Sequence, residues 1–292
     1  MNYTIKYGEY EATVSSYGAE LISLKRNGRE SIWGADPAYW DEHAPILFPV
    51  CGKLKNSEYS YGGKSYSMGG HGFLKSSELT LLEYEESRVV FSLKESEESL
   101  KAYPFKFEVV CTYELTELGL HTSFEVKNTG DVIMPYMIGW HPGFILPEEN
   151  GAKIDDYYLY FEDKNELTEE LLYPGEPFVS GEFKKVELEN SRLYIREDYL
   201  YPRDTALLFG HGNKCVLQND KNGFKVSFYF SENLQLLAVW KRANSGARYL
   251  CLEPWSGTPN DGRTDEDFET RLMERLYPKT SATYTYFTKI DF

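Results

Sequence analysis

The hydrophobic pattern along the chain has a dominant period of two. Residues 119–127, with the sequence GLHTSFEVK, alternate apolar and polar side chains, and the segment 128–130 (NTG) then predicts a turn. The same alternation occurs over 88–94 and 224–230, whereas 234–240 is more uniformly apolar and is predicted to be more buried. Because successive side chains of a strand point to opposite faces, this period predicts β-strands from one end of the chain to the other.

Helical patterns are scarce. Residues 162–172 predict one or two helical turns, and 264–268 predict another short turn with Thr264 as its cap. The region 145–205, rich in glutamate and proline, is the least regular and is interpreted as a loop excursion rather than a domain boundary. With no Gly/Ser linker and no repeat, the pattern predicts one all-β domain over 1–292, shaped like a large β-sandwich with few short helices.

Composition and charge narrow the function classes. The 24 tyrosines and 17 phenylalanines favour strands. The formal net charge of −15 argues against nucleic acid, whose phosphates need a basic surface, and against an anionic membrane. The expected partner is therefore neither nucleic acid nor a membrane.

The cysteines and the N-terminus indicate the compartment. Cys51, Cys111, Cys215 and Cys251 are far apart and form no CxxC pair, which argues against zinc and favours buried, reduced thiols. The first residues have no basic region followed by an apolar one, and no segment approaches the roughly 18 apolar residues of a membrane span. We therefore expect a cytoplasmic protein.

Four stretches place a polar or charged side chain in an apolar setting shaped by glycine or proline. They are 48–59 (FPVCGKLKNSEY), 69–79 (GGHGFLKSSEL), 139–144 (GWHPGF) and 251–257 (CLEPWSG). These stretches contain the candidate residues for chemistry.

Glu253 stands near the end of a strongly apolar strand. Alternation puts Tyr249, Cys251 and Glu253 on one face, and Pro254 is expected to end strand pairing just past the carboxylate. Partial desolvation raises the pKa of such a carboxyl and makes it a better base at neutral pH. The alternative interpretation is a surface ion pair at a strand end.

Two histidines have a comparable setting. His141 shares a strand face with Gly139, which leaves room beside the ring, and 142–143 (PG) turns the chain away. His71 lies between two glycines, so the backbone is open on both sides of its ring. A core histidine or simple turn chemistry would give the same local patterns. The other histidines lack this setting and are expected to be structural or solvated: His43, His121 and His211.

The order and spacing of these motifs carry a resemblance over nearly the whole chain. The motifs are YGAELISLKRNGRESIWGADPAYW (17–40), the segment 44–79, GWHPGF, CLEPWSG and TSATYTYFTKI (280–290). Together they resemble the aldose 1-epimerase (galactose mutarotase) family, and most closely its LacX-like branch.

The resemblance implies a fold and an activity. The fold would be a large antiparallel β-sandwich of the galactose mutarotase type. The activity would be interconversion of the α and β anomers of a hexose or hexose phosphate, a small-molecule sugar, with no metal or organic cofactor. A non-catalytic carbohydrate-binding or sugar-sensing domain on the same fold is the alternative.

The resemblance also assigns the catalytic roles. Glu253 matches the family's general base, and His141 matches its general acid. His71 matches a second histidine that contacts the sugar near the ring oxygen.

Three further residues match substrate-binding positions of the family, and Trp255 is a fourth candidate from its aromatic ring alone. Lys53 falls where the family usually has an arginine, so a bidentate grip on sugar hydroxyls is replaced by a point charge. Asp204 falls at the position of a substrate-binding aspartate, with Asp198 as the alternative. Lys75 lies where branches acting on sugar phosphates often carry a basic residue, and Lys53 and Lys75 are together candidate phosphate ligands. Trp255 offers an aromatic face to the sugar, although packing would explain it equally well.

Overall fold

The computed structural model describes residues 1–196 and 204–292, and short antiparallel strands dominate these ranges. In chain order the strands are β1 (Asn2–Tyr7), β2 (Tyr10–Ser15), β3 (Leu21–Arg26), β4 (Arg29–Glu30), β5 (Ile46–Leu47), β6 (Glu58–Tyr61), β7 (Lys64–Ser67), β8 (Thr80–Tyr84), β9 (Arg88–Lys94), β10 (Phe107–Thr116), β11 (Gly119–Asn128), β12 (Met134–Tyr136), β13 (Gly139–Trp140), β14 (Gly143–Ile145), β15 (Tyr158–Tyr160), β16 (Glu166–Leu172), β17 (Val179–Glu187), β18 (Arg192–Tyr194), β19 (Thr205–Phe209), β20 (Lys214–Gln218), β21 (Lys225–Phe230), β22 (Leu236–Trp240), β23 (Tyr249–Trp255), β24 (Glu274–Leu276) and β25 (Ser281–Asp291).

Helical structure is confined to short pieces in the described residues. The α-helix α1 (Glu97–Ala102) begins after Ser96, whose hydroxyl accepts a hydrogen bond from the Ser99 backbone N–H while the Ser99 hydroxyl accepts one from the Ser96 N–H. This reciprocal cap stabilises a helix of one and a half turns. Single 3₁₀ turns occur at Lys55–Ser57, Leu74–Ser76, Glu149–Gly151 and Ile154–Asp156.

Two large antiparallel sheets make up most of the fold. One has nine strands in the order β18-β15-β20-β21-β25-β11-β10-β9-β8. The other has eight, in the order β17-β16-β19-β22-β23-β13-β5, with β14 also pairing to β23. A four-stranded sheet (β1 to β4) and the pairs β12-β24 and β6-β7 complete the architecture.

The core lies between the two large sheets. Trp140 on β13 of the eight-stranded sheet is fully buried against Phe124 of β11, Tyr286 of β25 and Phe228 of β21, all in the nine-stranded sheet. In β10, buried and partly exposed side chains alternate along all ten residues, as expected for a strand with one face on a core. The predicted all-β antiparallel sandwich is therefore confirmed.

The structure confirms the strands predicted from strict alternation and corrects two irregular regions. The pattern over 88–94 coincides with β9, and the apolar run 234–240 contains the buried strand β22. The helical prediction for 162–172 was wrong, because Glu166–Leu172 form β16, which pairs with β17 and β19. The interpretation of 145–205 as a loop excursion was also wrong, since it contains β15 to β18.

Two smaller predictions concern the cysteines and membrane spans. All four cysteines are free and buried, whereas the sequence predicted burial for the three that lie in strand-like runs. Within residues 1–196 and 204–292, no helix has the length and apolar character needed to cross a membrane.

Candidate active site

The site forms where two short strands lie along β23. β13 pairs with β23 through Gly139, and β14 pairs with it through Gly143, in a single shared register. That register places His141, midway between the two pairs, directly opposite Glu253. Pro142, which has no N–H, separates β13 from β14, although its carbonyl still accepts a hydrogen bond from the Leu252 N–H at 3.2 Å.

His141 and Glu253 are in contact in a buried environment. The Nε2 atom of His141 lies 3.1 Å from the Oε2 atom of Glu253, and the two side chains are 11% and 2% exposed. Among the described residues, that carboxylate oxygen has no hydrogen-bond partner in an aligned geometry. The two side chains are therefore close together, but no aligned hydrogen bond fixes one to the other.

The environment of Glu253 favours its neutral form. Burial raises the pKa of the carboxyl well above its ordinary value. The indole N–H of Trp255 opposes this shift, and the negative charge of Asp204 adds to it. Glu253 thus binds a proton far more strongly than a carboxyl in water does.

The environment of His141 also favours its neutral form. Burial lowers the pKa of the imidazole well below its ordinary value, and the neighbouring His71 ring and the positive charge of Lys75 lower it further. A carboxyl with a raised pKa and an imidazole with a lowered one, 3.1 Å apart, form a coupled pair that titrates as a unit.

His71 is held as a neutral donor. Its backbone N–H donates to the Gly52 carbonyl at 2.8 Å, and the Gly52 N–H donates to the Nδ1 atom of His71 at 3.2 Å. Since Nδ1 accepts, the proton of the neutral ring is assigned to Nε2. Burial, reinforced by the charges of Lys75 and Lys53, lowers the pKa of His71 to about 3, and its ring centroid lies 5.7 Å from that of His141.

The glycine after His71 is required by packing. Gly72 has a φ of +74°, and a Cβ atom there would lie 2.0 Å from the carbonyl oxygen of Phe48. The expectation that this glycine leaves the backbone open to a ligand was wrong, because another backbone segment occupies that space. His71 itself has a φ of +64°, an uncommon conformation for a residue with a side chain.

The structure brings the predicted charged residues near the histidine pair. Lys53 is exposed, and its charge lowers the pKa values of both His71 and Asp204. Asp204 precedes β19, accepts a hydrogen bond from the Thr205 hydroxyl at 2.8 Å, and has a pKa raised mainly by burial. Asp198, the alternative aspartate, lies outside the described residues.

Lys75 and Trp255 have protein partners. The Lys75 ammonium donates to a Glu42 carboxylate oxygen at 2.7 Å. Trp255 is only 4% exposed, and its ring meets that of His71 edge-on at 5.7 Å. Its burial favours the packing role that the sequence left open. The predicted end of strand pairing before Pro254 was wrong, because β23 continues to Trp255 against β22.

Within residues 1–196 and 204–292, one group of side chains offers three metal-ligating atoms close together. His141, Cys251 and Glu253 each contribute one such atom, and the three atoms lie within 4.8 Å of one another. A metal bound there would occupy the imidazole and the carboxylate, which could then not exchange protons.

Aromatic residues that the sequence did not single out surround His141. Trp40 and Trp240 approach its ring at centroid distances of 4.9 Å and 5.7 Å. Nothing local marks these tryptophans, because Trp40 lies in a loop and Trp240 ends an ordinary strand. Only the folded chain brings them to the histidine.

The histidines set aside in the sequence lie apart from the acid–base pair or make structural contacts. Both ring nitrogens of His211 face backbone carbonyls, and His121 is exposed on β11 against Phe287. His43 lies near Glu20, with 3.6 Å between the imidazole Nδ1 and a carboxylate oxygen.

The fold and the site define a class of protein. A buried contact between an imidazole and a carboxyl, with a second histidine and charged side chains near it on a β-sandwich, is an arrangement suited to proton transfer. The chain belongs to the aldose 1-epimerase family, whose model matches residues 1–270.

Relatives agree with this assignment. The chromosomal LacX protein of Lactococcus lactis subsp. lactis is 34% identical over 248 residues, which cover 82% of each chain. A galactose mutarotase-related enzyme from Lactobacillus acidophilus has a TM-score of 0.94 at 31% identity, covering 100% of this chain and 98% of that one. A galactose mutarotase-like protein from Lactobacillus casei has a TM-score of 0.91 at 27% identity, with both chains fully covered. The protein is thus an isomerase of the mutarotase class, and the family implies a sugar substrate.

Proposed function

We propose that the protein interconverts the α and β pyranose anomers of a free aldohexose, with Glu253 as general base and His141 as general acid. The observation that carries the proposal is the 3.1 Å approach of His141 Nε2 to Glu253 Oε2 in a buried site of this family. Anomer exchange needs one proton removed and one added at neighbouring oxygens, and this pair supplies both groups.

The reaction begins with ring opening. The Glu253 carboxylate accepts the proton of the anomeric hydroxyl while the bond between the anomeric carbon and the ring oxygen breaks. The protonated His141 imidazole donates its proton to the departing ring oxygen, which leaves an open-chain aldehyde and a free hydroxyl. Rotation about the bond next to the aldehyde presents its other face, and the same transfers in reverse close the ring.

The pair starts and ends each cycle with one proton. During ring opening the proton count of the pair is unchanged, because Glu253 gains a proton as His141 loses one. Ring closure then restores the starting state, so no proton needs to be exchanged with solvent during a turnover.

His71 supports the transferring oxygen without exchanging a proton. With its pKa near 3 and its Nδ1 occupied by the Gly52 N–H, its ring is neutral and presents Nε2–H as a donor. A fixed donor aimed at the ring oxygen stabilises the charge that develops there before His141 completes its transfer.

The ion pairing near the site favours a free sugar over a sugar phosphate. Lys75 is engaged by Glu42 at 2.7 Å, so binding a phosphate would require that pair to be broken. Lys53 is exposed and forms no ion pair within 4 Å in the part of the chain that the structure describes. One free lysine neutralises only part of the nearly two negative charges of a phosphate, whereas its ammonium can donate fully to a neutral sugar hydroxyl.

Replacing the base tests the assignment. We expect Glu253→Gln to lower the rate constant for anomer exchange by roughly 10²–10⁴-fold, because the amide cannot accept the proton. The measurement is the optical rotation of freshly dissolved α-glucose and α-galactose, with enzyme-free buffer as the baseline.

A matched control separates this effect from a general loss of structure. Glu170→Gln makes the same change at another buried glutamate, on β16, whose pKa is also raised by burial. We expect that variant to keep wild-type activity. Equal activity of Glu253→Gln and wild type would rule out Glu253 as the base, and wild-type protein indistinguishable from buffer on every hexose would reject the proposed activity.

A further inference from the structure

Among the described residues, no aligned hydrogen bond to another residue orients the His141 ring. Its Nδ1 atom is buried and has no aligned hydrogen-bond partner there. Catalytic histidines are usually oriented through that second nitrogen, by a carbonyl or a carboxylate. In this site, another interaction must keep Nε2 directed at Glu253.

Ring packing supplies that interaction. The Trp40 indole lies over the His141 imidazole with 4.9 Å between centroids and 31° between planes. Trp240 and His71 meet the same ring edge-on, at 69° and 83°. One tilted and two near-perpendicular neighbours contact the imidazole from three sides and restrict its rotation.

Trp40 is itself anchored. Its backbone N–H donates to the Asp36 carbonyl at 2.9 Å, and its carbonyl accepts from the Trp33 indole N–H at 2.8 Å. The ring stacks on Tyr249 at 5.6 Å with 29° between planes. The tryptophan therefore reaches His141 from a fixed position.

The sequence around His141 makes room for this ring. A Cβ atom at Gly143 would lie 2.7 Å from Cζ3 of Trp40, so a side chain there would displace the indole. The glycine two residues after the acid thus serves the packing of Trp40.

We propose that Trp40 is a positioning residue that holds the imidazole of His141 in the orientation required for proton transfer, a role that rests on the proposed function. Trp40 need not touch the sugar, because its contact is with the acid. Its contribution is to the rate of the chemical step rather than to substrate affinity.

The first test compares kcat and KM for three variants. We expect Trp40→Leu to lower kcat by up to roughly 10²-fold with little change in KM, since a misplaced acid slows chemistry without removing a substrate contact. Trp40→Phe, which keeps a flat ring, should recover much of the loss. Tyr39→Leu is the matched control, because Tyr39 is the adjacent aromatic in the same loop and its ring packs on Trp33.

The second test asks whether Trp40 acts through His141. In a His141→Asn background, Trp40→Leu should cause no further loss, because residues that act as a unit are not additive. The proposal would be overturned if the losses of activity from His141→Asn and Trp40→Leu multiplied in the double variant. It would also be overturned if Trp40→Leu raised only KM, or if Tyr39→Leu and Trp40→Leu had equal effects.

A third measurement does not depend on activity. Nitrogen NMR of the imidazole reports which ring nitrogen of His141 carries the proton. We expect Trp40→Leu to change the ratio of the Nδ1-protonated to the Nε2-protonated form of His141, and Tyr39→Leu to leave that ratio as in wild type. An unchanged spectrum in Trp40→Leu would reject the positioning role even if the proposed substrate were wrong.

Discussion

At the scale of single residues, the opposite pKa shifts of Glu253 and His141 have a kinetic consequence. The carboxyl binds its proton more strongly than usual and the imidazole more weakly, so a singly protonated pair keeps its proton mainly on Glu253. The reactive arrangement, with the proton on His141, is the minor form of that state.

The pH dependence follows from this order of proton loss. Below the lowered pKa of His141 the pair takes up a second proton and Glu253 cannot act as a base. Above the raised pKa of Glu253 the pair loses its only proton and His141 cannot act as an acid. We therefore predict a bell-shaped dependence of kcat/KM whose acid limb follows His141 and whose alkaline limb follows Glu253.

Residual activities of the variants check this assignment. In His141→Asn the remaining activity should rise with pH, since it needs only an ionised Glu253. In Glu253→Gln it should fall with pH, since it needs a protonated His141. Residual activities that do not change with pH in the two variants would count against the pair.

At the scale of secondary structure, His141 lies between β13 and β14, and Gly143, the first residue of β14, lies beside the Trp40 ring. Gly143 lies in β14 without a left-handed φ, so alanine suits its backbone conformation. An added Cβ would approach the Trp40 ring most closely, at 2.7 Å, and the Trp33 Cβ and His43 carbonyl oxygen less closely, at 3.2 Å and 3.3 Å. We predict that Gly143→Ala lowers kcat in the same direction as Trp40→Leu, with a smaller effect in a Trp40→Leu background, where the obstructing ring is gone.

The control for that prediction is another glycine. An added Cβ at Gly246 would meet nothing within 4 Å, and this glycine also lacks a left-handed φ. Gly246→Ala should keep wild-type kinetics. If Gly143→Ala were equally active, the close approach of Gly143 and Trp40 would have no catalytic importance.

The strands show why part of the fold could be predicted from the sequence. β11 was recognised because its two faces meet different environments over most of its length, which leaves a period of two in the sequence. β16 (ELTEELL) was misassigned because two adjacent glutamates, Glu169 and Glu170, are both buried, which removes the alternation. Its strand character comes from pairing with β17 and β19, and such long-range pairing is not visible in a local pattern.

The candidate site, like the fold, could be predicted only in part from the sequence. Glu253, His141 and His71 were predicted because each stands in a local setting of apolar residues with glycine or proline. The strand register that places His141 opposite Glu253 was not predictable, and neither was the stacking of Trp40, because both depend on segments far apart in the sequence. The Lys75–Glu42 pair was missed for the same reason.

At the scale of the whole molecule, the net charge of −15 acts on charged substrates before they reach the site. A hexose 6-phosphate carries nearly two negative charges at neutral pH and is repelled over a distance that depends on salt. The screening length is about 30 Å at 0.01 M salt and about 8 Å at 0.15 M. We therefore predict that kcat/KM for glucose 6-phosphate is lower than for glucose at low salt and rises as salt is added, whereas the value for glucose stays constant.

Two lysine variants separate this global repulsion from local binding. Lys53→Gln and Lys64→Gln make the net charge more negative by the same amount, but Lys64 is an exposed residue on β7, whereas the charge of Lys53 reaches His71 and Asp204. If only long-range repulsion matters, both variants should lower kcat/KM for the phosphate equally. Added salt should then remove the difference between each variant and wild type. A larger loss with Lys53→Gln that persists at high salt would mean that Lys53 binds the phosphate directly. If the wild-type protein also turned over the phosphate faster than glucose at low salt, the substrate would be a sugar phosphate and not the free hexose.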